Sequence, residues 1–328
     1  MRENPYLIRM EVPEDCIKVS DRDGVYYRLF NDPVTAVQKD EMDCMQFHSP
    51  SGDRKIGYHE HTDGTETFLV SQGAFECYCM GHGFIMRPGD ILHIQPWMGH
   101  SFTPIEPESR LNILFQSINQ QYGITVPRIH LQTNFPGVFE DPEFKKMFTS
   151  VNKNAGERAF PATKMVPDDQ VTQLRRAGKG IREHEYEGIK LHLKIAKYET
   201  FGVKEVWDLF LKPGFYCEWD NFLPEYRMFY VTKGKIHCSV KTSATETMEF
   251  DAVEENIVFI PPYTPFKFET VEDTQMYDLD CPSRLQDLCE ELNSYKEANP
   301  DKLMEKSDLL ALCKRFAFNC TDVGYKKP

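Results

Sequence analysis

The stretch Gly57-Tyr58-His59-Glu60-His61-Thr62-Asp63-Gly64-Thr65-Glu66, closed by Gly73, decides the reading of this chain. Side chains on a strand alternate with period two, so His59 and His61 point to one face. The interval Thr62-Asp63-Gly64-Thr65 lets the backbone bend before Glu66 rejoins that face. Two imidazoles and a carboxylate converging on one point suit a divalent transition metal. Glu60 alternates with the histidines and faces the other way.

Downstream, Pro88-Gly89-Asp90-Ile91-Leu92-His93-Ile94-Gln95-Pro96-Trp97-Met98-Gly99-His100 reads as turn, strand, turn and then a histidine. Together the two stretches resemble the paired signatures of the cupin superfamily: both histidines, the glutamate and Gly73 in the first, and Gly89, Pro96 and His100 in the second. Met98 stands where that family commonly has a glycine, a difference in a turn and not in a ligand. The resemblance implies His59, His61, Glu66 and His100 as ligands of one metal ion per chain. Three histidines and a glutamate leave coordination positions open, as catalytic sites require. The donor set fits Fe, Mn, Ni, Co, Cu or Zn without choosing among them. His93 and His82 are expected to serve packing or the surface.

Cupins often occur as tandem barrels, and the second half of this chain can be laid over the first. Matching Gly234 to Gly73 puts Arg227 at the Glu66 position, Phe222 at His61 and Asp220 at His59. Ile257–Phe266 overlays Ile91–His100, which places Phe266 at His100. An arginine at a ligand position repels a metal, so the second barrel is expected to be metal-free. It is read as a structural lobe with an internal Arg227–Asp220 pair, or as a pocket for an organic ligand or carboxylate.

The implied fold is mainly β, two tandem jelly-roll (double-stranded β-helix) barrels. Short strand-like segments such as Gly73–Met80 and Ile91–Gln95 are bounded by Gly, Pro and Asp turns. Residues 1–137 form an N-terminal arm plus the metal-binding barrel. Residues 138–186, with few β-branched residues, read as a helical connector. Residues 187–282 are the degenerate barrel, and 283–328 are C-terminal helices. Ser283-Arg284-Leu285-Gln286 reads as a capping box, and Asn299-Pro300 opens a second helix.

The 328 residues suffice for two domains. A net charge of −13, from 51 acidic against 38 basic residues, argues against nucleic acid as a partner. No apolar run approaches the length that a bilayer requires. The start, Met1–Cys16, carries charges and a proline where a secretory signal has an apolar stretch. The ten cysteines include no CxxC pair; they read as reduced thiols, and the location as cytoplasmic. Cys77 and Cys79, with His82 three residues on, read either as a soft metal site or, in preference, as small hydrophobes sharing one strand face.

The expected partner is a small-molecule substrate, and the expected assembly a homodimer with residues 1–35 as an arm. The site resembles that of quercetinase-type bicupin dioxygenases, which implies activation of a phenolate or enolate oxygen toward O₂, with Glu66 as a catalytic base. Tyr58, Phe68, Trp97 and Phe102 bracket the motifs as pocket wall or barrel core. The alternatives are a redox-neutral isomerase, decarboxylase or lyase, and a non-catalytic small-molecule binder.

Overall fold

The structure, a computed structural model, describes residues 3–9, 15, 17–18, 25–28, 42–61, 64–80, 82–117, 174–200, 202, 204–220, 226–281, 284–302 and 304–327. The chain divides into two units. One is Pro13–Ala177, and the other is Gly178–Pro328 together with Arg2–Val12.

Strand β1 (Leu7–Arg9) belongs to the second unit. The first holds β2 (Ile17–Lys18), β3 (Val25–Arg28), β4 (Met42–Ser49), β5 (Ile56–His59), β6 (Gly64–Gln72), β7 (Phe75–Cys79), β8 (His82–Met86), β9 (Ile91–Ile94), β10 (His100–Pro104), β11 (Ser109–Ser117) and β12 (Leu174–Arg175). They form two antiparallel sheets, β12-β9-β6-β11-β4-β3-β2 and β5-β10-β7-β8. Alternation decides which side chains go inward. On β7, Phe75, Cys77 and Cys79 are buried while Glu76 and Tyr78 are half-exposed. The core is held by edge-to-face rings: Phe102 lies 5.3 Å from Phe47 and 5.1 Å from Phe68. Such pairs each add about 0.5–1.5 kcal/mol beyond their burial.

The second unit holds β13 (Arg182–Tyr186), β14 (Ile189–Ile195), β15 (Glu205–Leu211), β16 (Phe215–Trp219), β17 (Tyr226–Lys233), β18 (Lys235–Lys241), β19 (Thr247–Val253), β20 (Asn256–Ile260), β21 (Phe266–Thr270), β22 (Thr274–Cys281), α1 (Leu285–Ala298), α2 (Lys306–Arg315) and β23 (Cys320–Tyr325). Its sheets are β1-β20-β17-β22-β15-β14-β13 and β19-β18-β21-β16-β23. Strand for strand, β13–β22 repeat the arrangement of β2–β11. The free edge of the larger sheet is covered by β12 in the first unit and by β1 in the second. The mainly β, two-barrel reading therefore holds.

Several expected boundaries differ. Residues 174–186 do not form a helix: they contain β12, a turn with Gly178 at φ +68°, and β13. Their charges suit an edge strand, where Arg182, Glu183 and Glu185 face water and only His184 goes inward. The segment 138–173 lies outside the described residues. Part of the N-terminal arm is a strand of the second unit, with Leu7 opposite Val258. The C-terminal region adds a strand to its helices, β23 pairing with β16.

Helix α1 starts at Leu285. Ser283, the expected capping residue, lies outside the described residues. The Glu205 carboxylate instead accepts the Arg284 and Gln286 amides at 3.0–3.1 Å, and Asp280 accepts those of Arg284 and Leu285 at 3.1 and 3.3 Å. The Asp280 carboxylate also balances the helix dipole, while burial and neighbouring Asp280 push the Glu205 carboxyl well above its usual range. The second helix opens at Lys306, well past Asn299-Pro300.

Gly73 and Gly234 turn β6 into β7 and β17 into β18 at φ +70° and +77°. A Cβ would sit 2.9 Å from Ser109 Cα at Gly73 and 2.6 Å from Asp273 O at Gly234. Gly73→Ala and Gly234→Ala are each expected to cost at least about 1–2 kcal/mol, read as a lower urea midpoint at unchanged slope.

Candidate metal centre

The first signature supplies β5 and the start of β6, and the second supplies the turn into β10. His59 ends β5 and His100 begins β10, and the two are direct cross-strand partners. Glu66, on β6 of the facing sheet, is opposite Ile94 and Phe115. Both sheets of the unit therefore contribute ligands. The backbone at Trp97 is left-handed (φ +66°), and its N–H donates to His61 O at 2.7 Å, tying the turn before His100 to the first motif.

The four donor atoms of His59, His61, Glu66 and His100 all lie within 4.8 Å of one another, a metal-binding group. Glu66 Oε2 is 2.8 Å from His100 Nε2 and 3.2 Å from His61 Nε2. The chemistry of the rings fits an ion. His59 Nδ1–H donates to Gly57 O and His100 Nδ1–H to Met98 O, each at 2.8 Å. A carbonyl only accepts, so these nitrogens carry the protons and the Nε2 lone pairs remain to ligate. Burial, reinforced by neighbouring His100, lowers the His59 pKa to about 4, so its ring is neutral near pH 7. Burial alone would raise the Glu66 carboxyl, but His61 and His100 outweigh it and hold it well below its usual range. A neutral His59 ring and an ionised Glu66 carboxylate are ligating forms.

The site is closed beneath and open to one side. His100 is 0% and Glu66 6% exposed, whereas the His61 side chain is 29% exposed. Phe68 packs 5.7 Å from the His100 ring, and with Phe102 it belongs to the core. Of the four bracketing aromatics only Trp97 is well exposed, while Tyr58 is half-buried. The Tyr58 hydroxyl occupies the space that a Cβ on Gly99 would take. His93 is buried, its ring 3.1 Å from Thr67 Oγ1, and His82 is exposed; neither belongs to the group. Cys77 and Cys79 lie in the core.

The second unit fills the same positions with other chemistry. Arg227 on β17 takes the place of Glu66, and Phe266 opens β21 as His100 opens β10. The cross-strand partner of Phe266 is Trp219, so Trp219 stands where His59 does. Asp220, expected there, is the next residue and is exposed; a slip of one residue turns a side chain to the other face. Phe222 lies outside the described residues. The expected Arg227–Asp220 pair is replaced by Arg227–Asp278, with Nε 3.1 Å from Oδ1 and a second contact from Nη2 to Oδ2. A signal for Asp278 existed: Tyr277-Asp278-Leu279-Asp280 sets two carboxylates two apart in a strand otherwise rich in buried residues.

A cupin domain family model matches residues 45–115. No curated protein matches the chain in sequence. Solved structures share its fold. Vicilin from hazelnut (Corylus avellana) aligns at a TM-score of 0.55 and 11% identity, over 85% of this chain and 86% of that one. Vicilin from tomato (Solanum lycopersicum) aligns at 0.53 and 12%, over 85% and 86%. Oxalate decarboxylase from Bacillus subtilis, studied for its Mn(II) centres, aligns at 0.52 and 14%, over 96% and 88%.

Substituting His59→Ala or His100→Ala is expected to reduce bound transition metal from about one ion per chain to near zero, read by elemental analysis. Arg227→Met leaves Asp278 buried without its guanidinium and is expected to cost about 3–5 kcal/mol in urea unfolding, whereas pairing it with Asp278→Leu recovers most of that loss. With one strand order built twice and a cupin domain in its first half, the chain is a two-barrel protein of the cupin fold.

Proposed function

We propose that the chain is a mononuclear metal-dependent cupin enzyme acting on a small organic substrate, with a dioxygenase as the leading reading. The observation that carries it is the convergence of three imidazoles and one carboxylate within 4.8 Å at a centre that is open on the His61 side. A divalent transition ion held there supplies Lewis acidity and, if redox-active, one-electron chemistry.

The chain's own groups supply the rest. The Gly57 and Met98 carbonyls lock two rings in the ligating tautomer. Phe68 and the core below it keep water from the closed side. Tyr58 and Trp97 give the flanking turn an aromatic character suited to a phenolic or enolisable substrate. Glu66, held as the carboxylate, is the group able to accept a substrate proton. The ten cysteines include no CxxC pair, which supports a reducing compartment such as the cytoplasm. Among the described residues, no helix is long and apolar enough to cross a membrane.

A second reading is redox-neutral decarboxylation of a small carboxylic acid. It is favoured by the fold shared with oxalate decarboxylase and the Mn(II) centres of that protein. Metal-loaded protein should be screened against phenolic, enolisable and small carboxylic substrates in an oxygen electrode, and again under strict anaerobiosis. The expected result is turnover with O₂ uptake that falls to background in Glu66→Gln. Equal turnover without O₂, with release of CO₂, would replace the leading reading by the second. Tight binding without conversion of any compound would refute an enzyme.

A further inference from the structure

The second unit holds a cavity of about 870 Å³, open to solvent on one side and lined by residues of β13–β17, β21–β23, α1 and α2. Pockets of roughly 300–1,000 Å³ hold drug-sized organic molecules. The walls are apolar and partly aromatic, with Leu191, Leu209, Phe215, Trp219, Phe268 and Leu288 among them. Arg227 and Asp278 also line it, although they are only 0% and 2% exposed. Charged residues such as Glu187, Lys296 and Lys302 stand among its exposed lining residues.

This lumen is the counterpart of the metal centre, with the chelating groups exchanged. Trp219 and Phe266, at the His59 and His100 positions, stack with centroids 6.0 Å apart and planes 9° from parallel. Arg227, at the Glu66 position, lies 5.5 Å from the Trp219 ring and 4.8 Å from Phe318. The guanidinium and the rings around it are almost fully buried against one another, so what the cavity offers a ligand is chiefly its apolar wall.

The charges narrow the ligand class. Arg227 is already matched by Asp278, and Asp280 lies 4.0 Å from its Nε. Asp280 is in turn balanced by the backbone amides at the start of α1. Next to this buried pair an added anion would meet two carboxylates and an added cation would meet the guanidinium, and unbalanced buried charge is costly. We propose that the cavity of the second barrel is a distinct binding site for an uncharged, ring-bearing apolar molecule held against its apolar walls. The site is independent of the reaction at the first barrel and needs no metal.

The probe is phenylnaphthylamine, an uncharged dye that brightens in apolar surroundings, titrated into the full chain beside its anionic analogue, anilinonaphthalene sulfonate. The expected result is saturable binding of the uncharged dye at one site per chain, with the sulfonate weaker by about tenfold or more. Leu292→Trp narrows the cavity from a half-buried position on α1 and is expected to weaken the uncharged dye by about tenfold or more. If circular dichroism shows that variant unfolded, Leu309→Trp on α2 takes its place with the same criterion. Non-saturable binding, a loss below about tenfold in the folded variant, or equal affinity for the sulfonate would overturn the proposal.

Discussion

The antiparallel pairing of His100 with His59 is the contact on which the metal centre depends. These residues are far apart in sequence, and each sits at the end of its strand, where the backbone leaves the ladder and the ring reaches into the barrel. The pairing sets both imidazoles side by side, their centroids 4.3 Å apart. Glu66 then completes the group from the opposite sheet. Sheet-to-sheet distance and register are maintained by a packed core, and the four donors converge within 4.8 Å of one another.

The same pairing recurs at Trp219 and Phe266, and there the barrel has taken the opposite electrostatic course. A centre of lone pairs attracts a cation; a guanidinium among aromatic faces does not. Burying Arg227 and Asp278 together is costly in desolvation, and their mutual attraction with additional hydrogen bonds offsets it. Burial, with the neighbouring Asp280 charge, raises the Asp278 pKa to about 6 although the arginine beside it pulls the other way. One fold thus carries a chelating lumen in one half and an apolar lumen with an ion pair in the other. Neither role follows from the fold itself; each follows from a few side chains at equivalent strand ends.

Much of the first barrel was legible in the sequence because its signals are local. His59 and His61 share a face through the strand period, and Gly73 marks a turn that a Cβ would block. The helical reading of residues 174–186 failed for the opposite reason. Charge-rich text with few β-branched residues resembles a helix in isolation, yet β12 and β13 exist because neighbouring strands offer them an edge. The start of α1 is similar: beside nearby Asp280, its free amides are met by Glu205, whose strand lies far back in the chain.

By itself, the sequence determined the mainly β character, the doubling of the barrel and the identity of the four clustered side chains. Short turn-bounded strand segments carry the first, and the resemblance of the motifs to the cupin signatures carries the other two. Only the tertiary structure decided that Trp219 stands at the His59 position in place of Asp220, that Asp278 is the partner of Arg227, and that a cavity lies beside them. Those outcomes rest on strand register and on pairings across many residues of chain, where a shift of one position moves a side chain from the lumen to solvent.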